Sequence, residues 1–228
     1  MPFAVMTSGG KDATLALDRA RRDGLDVRFL AALYDGQSGR VRFHGVRKQL
    51  LVQQARAMGL ELLTAPTLPH AYEPIFNDML ARLRARGVTG VIFGNVHLAD
   101  VRAWYEDRVT AAGLDHVEPL WGQPAVEVAW EVVERGYRAV VTSVHLEHGA
   151  VGFLGREFDA DLVTEISCLD GLDPCGELGE YHTFVFDGPA FEHPIGFSTG
   201  PVFESEGHRH LDLIPLNGQV QGAGSDIR

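Results

Sequence analysis

Apolar residues follow two different spacings along residues 1–120. Short apolar runs, typical of buried strands, alternate with longer segments in which apolar residues recur at helical spacing, and glycines end most of the helical segments. We expect strands at 3–6, 27–33, 60–64, 88–93 and 117–120, and helices at 13–20, 46–58, 72–86 and 100–112. This alternation predicts an α/β fold, a doubly wound parallel sheet whose connections cross over right-handed.

The pattern becomes less regular after residue 121. A helix is expected at 124–135, a strand at 137–143, and then a helix that Asp159 caps and that ends near Cys168. Further strands are expected at 181–186, 194–198 and 202–204, with prolines and glycines between them. These features predict a smaller C-terminal α+β domain at 121–216, after a first domain at 1–120. The polar segment 217–228 is expected to be a mobile tail.

Charge separates the two predicted domains. The 228 residues carry a net charge of -11, but residues 1–120 hold 15 Lys and Arg against 13 Asp and Glu, whereas 121–228 hold 5 against 18. Nucleic acid is not expected as the main partner, because phosphate backbones are bound by clustered basic residues. Anionic ligands should prefer the first domain. The acidic second domain either tolerates a protein or a cationic substrate or is an ordinary solvated surface.

Composition is typical of a globular protein, with 45% hydrophobic and 22% charged residues. No apolar run approaches the roughly 20 residues that cross a bilayer, and the chain reaches a turn too soon for a signal peptide. We therefore expect no membrane association and a cytoplasmic location. Cys168 and Cys175 are too few for a disulfide framework and lack zinc-site spacing. They could accept sulfur in a thiolation reaction, but inert thiols are the simpler interpretation, because nothing cationic flanks them.

A glycine-rich turn connects the first strand with the first helix. Ser8, Gly9, Gly10, Lys11 and Asp12 lie where parallel sheets bind ligands, between the carboxyl end of a strand and a helix N-terminus. The glycines let consecutive N–H groups face one concavity, the helix adds a partial charge of about +0.5, and Lys11 adds a full charge. This predicts a phosphate site, although a glycine turn that only reverses the chain has the same spacing. The Walker A pattern does not match, because Asp12 follows Lys11 where Ser or Thr is required.

Polar side chains also crowd into a segment near residue 180. Glu177, Glu180, His182 and Thr183 lie within seven residues, and on a strand His182 would face away from Tyr181 and Thr183. An acid and an imidazole at a strand end could bind an ammonium group, orient a carboxylate or transfer a proton near neutral pH. A structural hydrogen-bonded pair is the alternative.

Five segments resemble a known family. The loop, TSGGKDA at 7–13, resembles the SGGxDS pyrophosphate loop of N-type ATP pyrophosphatases and, more narrowly, the SGGKDS loop of the diphthine-ammonia ligase family. The resemblance continues in VRFHGVRKQLLVQQARAMGL at 41–60, FGNVHLADVRAWYEDR at 93–108, VEPLWG at 117–122 and DPCGELGEYHTFVFDGP at 173–189. It implies a HUP or Rossmann-like ATP-pyrophosphatase domain at 1–120 and a substrate domain at 121–216.

The resemblance also implies a reaction and its residues. ATP and Mg²⁺ would adenylate a carboxylate, a protein side chain included, with release of pyrophosphate, and ammonia would then displace AMP to leave an amide. The implied catalytic residues are Lys11, Asp12, Glu180 and His182, and Asp12 is also expected to place Mg²⁺. The implied ATP-binding residues are Ser8, Gly9, Gly10, Lys11, Asp12, Ala13, His44, Gly94 and Asn95. The implied substrate-binding residues are Glu177, Glu180, Tyr181, His182 and Thr183.

Three positions depart from the family's motifs. Ala13 replaces a serine, although Thr14 is adjacent, while Asn95 replaces an aspartate and Leu178 an asparagine. A neutral hydrogen bond contributes roughly 0.5 to 1.5 kcal/mol, so the missing serine should weaken phosphate binding without abolishing it. Two alternatives stay open. One is the same ATP chemistry on an RNA base or a small metabolite, and the other is an adenine-nucleotide-binding module without catalysis.

The remaining histidines are weaker candidates. His44 could approach the adenosine, but a packed or exposed histidine is an equal alternative. His145 and His148 could reach one metal only if the chain curled there, so a surface role is favoured. The nitrogen source, the acceptor and the oligomeric state stay open, and a homo-oligomer is compatible with the sequence.

Overall fold

The first sheet is parallel, and its central strand lies where the strand order reverses. The computed structural model describes residues 1–68 and 70–216. The strands are β1 Pro2–Met6, β2 Asp26–Asp35, β3 Glu61–Thr67, β4 Gly90–Ile92 and β5 Asp115–Val117, in the spatial order β3-β2-β1-β4-β5. The helices are α1 Lys11–Arg22, α2 Lys48–Ala57, α3 Tyr72–Ala85 and α4 Ala99–Ala111. All strand pairs are parallel, which confirms the predicted doubly wound sheet.

The second sheet is smaller and antiparallel. Its strands are β6 Arg138–His145, β7 Tyr181–Asp187, β8 Phe197–Ser205 and β9 His208–Pro215, in the order β7-β6-β9-β8. The helices of this part are α5 Ala125–Glu134 and α6 Ala160–Ser167, with a short 3₁₀ helix at Val151–Phe153. The Asp159 side chain caps α6 by accepting a hydrogen bond of 2.9 Å from the Leu162 N–H. The predicted α+β character of the C-terminal part is confirmed.

One hydrophobic core joins the two sheets through α1. Leu15 on α1 and Val5 on β1 pack in the same buried cluster as Val128 on α5 and Val185 on β7. Full burial of a leucine such as Leu15 stabilises a fold by roughly 1.5 to 3 kcal/mol, so this contact fixes α1 firmly between the sheets. The N-terminus of α1 is thereby placed against β7. A domain boundary at residue 120 remains a prediction.

The sequence-based expectations fail at several strands. The expected strand 117–120 is wrong, because β5 is Asp115–Val117 and a turn follows it. The expected strands 194–198 and 202–204 are replaced by one longer strand, β8, which begins only at Phe197 and whose pairing with β9 is irregular between Thr199 and Val202. Strand β9 was not predicted. The expected tail 217–228 lies outside the described residues. Among the described residues no helix is both long enough and apolar enough to span a membrane.

Candidate functional site

A cavity of about 540 Å³ opens at the point where the strand order of the parallel sheet reverses. Strands β1 and β4 are neighbours there, and ligands of doubly wound sheets bind between such carboxyl ends. Segments from both halves of the chain line the cavity, at 6–8, 10–13, 41–44, 93–95, 175–177 and 181–183. The predicted loop and the predicted segment near residue 180 therefore face the same space.

The glycine-rich loop leaves one backbone donor free at the start of α1. Gly10 precedes α1 in an extended conformation and has no side chain that could cap the helix. Within the described residues the Gly10 N–H has no hydrogen-bond partner. A free N–H at a helix N-terminus favours an anion, because the helix dipole and the donor both attract negative charge.

Two glycines allow this loop to pack closely. Gly9 has a φ of 88°, and a Cβ there would lie 2.8 Å from Leu51 Cδ2. A Cβ on Gly94, which follows β4, would lie 2.6 Å from the Ala13 nitrogen. A side chain at position 94 would therefore push the segment after β4 away from the first turn of α1.

Strand β7 holds the loop from the other side of the cavity. The Val185 N–H donates to the Gly9 carbonyl oxygen at 2.9 Å, and the Lys11 N–H donates to Thr183 Oγ1 at 3.1 Å. His44 Nδ1 lies 3.4 Å from the Thr183 carbonyl oxygen. The structure thus brings Thr183 and His44 to the loop.

The Lys11 ammonium is buried and is bonded to oxygens of the protein. Its Nζ donates to the Cys175 carbonyl oxygen at 2.5 Å and to Asp12 Oδ2 at 2.9 Å, and it lies 5.1 Å from the Tyr181 ring centroid. Burial alone would lower the pKa of Lys11, but the Asp12 carboxylate raises it above its ordinary value. Lys11 is therefore a charged anchor for the segment at 173–177.

An acidic pair is the part of the cavity that suits Mg²⁺. Asp12 Oδ1 is buried and has no hydrogen-bond partner in the described part of the chain. Glu177 Oε2 accepts from the Val96 N–H at 3.1 Å, and burial followed by the Asp12 charge raises the Glu177 pKa. No group of three or more His, Cys, Asp or Glu within residues 1–68 and 70–216 could hold a metal unaided. Mg²⁺ usually takes one or two carboxylates together with substrate phosphates, which these two residues fit.

His182 and Glu180 differ in their access to the cavity. His182 lines it, and its ring lies 4.3 Å from that of His44, centroid to centroid. Burial lowers the pKa of His44 to about 4 and that of His182 well below its ordinary value, so both imidazoles are neutral near pH 7. Glu180 is 1% exposed and does not line the cavity. Its Oε1 accepts a hydrogen bond of 2.8 Å from the Asp173 N–H.

The three departures from the family motifs have different surroundings. Ala13 lines the cavity, but the Thr14 hydroxyl donates to the Gly10 carbonyl oxygen at 2.9 Å and cannot replace the missing serine. Asn95 Nδ2 donates to Glu118 Oε1 at 2.6 Å. Leu178 is 57% exposed and lies outside the lining. Only the departures at 13 and 95 therefore affect the cavity directly.

Sequence reasoning missed an aromatic and apolar part of the lining. The Tyr72 and Tyr105 hydroxyls lie 2.9 Å apart, on α3 and α4. Tyr105 falls in the segment 93–108 that carried the resemblance, whereas Tyr72 had no local signal. The other unpredicted residues of this lining include Met6, Leu33, Val41, Phe43 and Phe93.

The weaker candidates from the sequence are the two cysteines and the histidines at 145 and 148. Cys175 is buried, its thiol donates to the Ala125 carbonyl oxygen at 3.1 Å, and burial raises its pKa, which favours the inert interpretation. Cys168 is exposed. The His145 and His148 rings stack 3.9 Å apart, and neither residue lines the cavity.

A parallel sheet with a glycine-rich loop before a helix at its switch point is typical of the nucleotide-binding class of α/β proteins. The family model described as the diphthamide synthase N-terminal domain matches residues 1–116, and the model of the diphthamide synthase C-terminal domain matches residues 124–211. The chain therefore belongs to the diphthamide synthase family. Membership confirms the resemblance and supports an enzyme of the ATP-pyrophosphatase type.

Solved structures show more distant similarity. A predicted subunit of tRNA methyltransferase from Methanocaldococcus jannaschii is 14% identical, with a TM-score of 0.45, over 81% of this chain and 96% of that one. The U34-tRNA thiolase NcsA from Methanococcus maripaludis, with its [4Fe-4S] cluster, is also 14% identical, with a TM-score of 0.38, over 59% of this chain and 56% of that one. No curated protein shows significant similarity to the chain.

Proposed function

We propose that this protein adenylates a carboxylate with ATP and that ammonia then displaces AMP to form an amide. The observation that carries the proposal is that the Gly10 N–H and the Asp12 Oδ1 have no hydrogen-bond partner in the described part of the chain and that both residues line one cavity. Donors for phosphate and a carboxylate for a divalent cation are what cleavage of a nucleotide requires.

The lining of the cavity includes groups that suit both parts of ATP. Met6, Leu33 and Val41 are apolar residues on which a purine can pack, and the loop contributes donors for the phosphates. The carboxylate of the acceptor would attack the α-phosphate, and the bond to pyrophosphate would break. The Gly10 N–H and the α1 dipole would stabilise the charge that collects on the departing pyrophosphate.

Lys11, Asp12 and Glu177 would support this step from the positions that they occupy in the structure. Lys11 is held by Cys175 and Asp12, so it would act through its field and by anchoring the segment that carries Glu177. Mg²⁺, when bound, would supply further positive charge beside the pyrophosphate, and Asp12 and Glu177 would hold it. The neutral His182 would orient the acceptor by hydrogen bonding.

The test is an incubation with α-labelled ATP, ammonium and a panel of carboxylates labelled with ¹⁸O. We expect AMP and pyrophosphate in equal amounts and one ¹⁸O transferred to AMP, because the carboxylate oxygen attacks the α-phosphate. Glu177→Gln should slow formation of AMP and amide roughly 10- to 100-fold, because it removes one of the two carboxylates that would hold Mg²⁺, whereas the exposed Glu147→Gln should not change the rate. Release of ADP and phosphate would contradict the proposal.

A second candidate is an adenine-nucleotide sensor without catalysis. The buried Lys11 ammonium and the absent hydroxyl at Ala13 both favour it, because each removes a polar group from the phosphates. ATP binding with no AMP formed in the presence of any acceptor would support this candidate over the ligase.

A further inference from the structure

A buried glutamine on α2 fixes the orientation of the loop. Gln54 is 1% exposed, and its Nε2 donates to the Gly9 carbonyl oxygen at 3.1 Å and to the Val185 carbonyl oxygen at 2.8 Å. Because both partners are carbonyl oxygens, only the NH₂ end of the amide can face them. The Gly9 carbonyl oxygen also accepts from the Val185 N–H at 2.9 Å, so it receives two hydrogen bonds from two elements.

The two hydrogen bonds to the Gly9 carbonyl oxygen determine the direction of the Gly10 N–H. In a trans peptide the C=O and the N–H point in opposite directions, so a Gly9 carbonyl held against α2 and β7 turns the Gly10 N–H away from both. Gly10 lines the cavity, whereas Gly9 does not. The Gly10 N–H has no partner within residues 1–68 and 70–216, so it is left for a ligand.

We propose that Gln54 is a positioning residue for the pyrophosphate part of ATP, acting through the Gly9–Gly10 peptide. The inference rests on the proposed ATP site. Without the amide donors of Gln54 the Gly9 carbonyl would keep one hydrogen bond, and the peptide could rotate so that the Gly10 N–H no longer faces the cavity. A purely structural Gln54 would instead affect folding alone, or all ligands equally.

Gln54→Met tests this, since it keeps the length of the side chain and removes both donors. The matched control is Gln53→Met on the same helix, where the amide donates to the Leu216 carbonyl oxygen at 3.2 Å. We expect calorimetry to show about tenfold weaker binding of ATP and of inorganic pyrophosphate to Gln54→Met, because one hydrogen bond to a charged ligand is misdirected. Adenosine binding should be unchanged, and Gln53→Met should behave as the wild type. Equal ATP affinity in both variants, or a parallel loss of adenosine binding, would overturn the role of Gln54.

A second measurement needs no variant, should Gln54→Met fail to fold. Inorganic pyrophosphate added to ¹⁵N-labelled wild-type protein should shift the Gly10 amide resonance strongly. The Gly9 amide, which donates to Thr7 Oγ1 at 2.9 Å, is the internal reference and should move less. If pyrophosphate binds and the Gly10 resonance stays in place, the inference is wrong while the ATP site stands. If the wild type binds neither pyrophosphate nor ATP, the proposed function is wrong, and the role of Gln54 with it.

Discussion

Replacing Asn95 with aspartate should destabilise this protein, although aspartate is the residue that the family's motif carries at this place. Asn95 Nδ2 donates to Glu118 Oε1 at 2.6 Å, and the Glu118 side chain is only 2% exposed. The substitution would remove a hydrogen bond to a charged group, which contributes about 1.5 to 3 kcal/mol, and set a second carboxylate against the first. For a chain of this size each kcal/mol of destabilisation lowers the Tm by roughly 2 to 4 °C. A destabilisation of about 2 kcal/mol should therefore lower the Tm by about 4 to 8 °C.

The pH dependence gives this prediction a second signature. The facing carboxylate would raise the pKa of the new aspartate above its unfolded value of about 3.9. Its protonated form can donate to Glu118, so the destabilisation should grow as the pH rises through the folded pKa and shrink below it. Urea unfolding of the wild type and Asn95→Asp at several pH values measures this difference.

Two variants make the test of this pair decisive. Glu118→Gln in the Asn95→Asp background exchanges donor and acceptor, and we expect it to recover part of the lost stability, with a coupling free energy above about 1 kcal/mol. The exposed Asn77→Asp on α3 controls for the charge change and should alter stability by less than about 0.5 kcal/mol. The reasoning is refuted if Asn95→Asp is as stable as Asn77→Asp, or if the effects at 95 and 118 simply add.

Three further predictions follow from single contacts. Ala13→Ser should strengthen ATP binding up to about tenfold by calorimetry, because it adds a donor beside the loop. Unchanged affinity would show that the added hydroxyl does not contact the phosphates. Gly94→Ala should lower stability by about 1 to 3 kcal/mol and weaken ATP binding, since its Cβ would lie 2.6 Å from the Ala13 nitrogen; wild-type behaviour would contradict this. Arg47 and then Arg40 lower the pKa of Asp212 to about 2, so its contribution to stability is full above its unfolded pKa of about 3.9 and is lost as the pH falls towards 2. Urea midpoints of Asp212→Asn should therefore fall less over that range than those of the wild type, and parallel curves would show that the ion pairs do not contribute.

The parallel sheet could be predicted because its information is local. Strands β1 to β4 are apolar runs, and glycines follow the helices between them, so pattern and turn chemistry agree. Strand β9 carries no such signal. His208 and Asp212 are buried on it, and Asp212 is compensated by Arg40 and Arg47 from the loop before α2, more than 160 positions earlier. A buried charge whose partners are distant in the sequence looks like a surface residue until the fold is known.

Some features of the candidate site could likewise be predicted from the sequence, and others could not. The loop itself was predictable from glycines between a strand and a helix, whereas its hydrogen bond with Thr183 was not, because Thr183 lies 172 positions from Lys11 in the sequence. The direction of the Lys11 side chain could not be predicted from the sequence, because it is fixed by a hydrogen bond to the Cys175 carbonyl oxygen in the other half of the chain. The role of Gln54 was equally hidden, since a glutamine on an amphipathic helix is ordinarily a surface residue.

The phosphate loop of this protein is completed by the C-terminal half of the chain. Within the first sheet alone, the Lys11 N–H and the Lys11 ammonium would lose Thr183 and Cys175, and the Gly9 carbonyl would lose Val185. These groups would then bond to water, and the loop would lose the contacts that hold its present conformation. The segment that carries Glu177 is held by the same Lys11. Assembly of the proposed ATP site and placement of Glu177 are therefore one structural event.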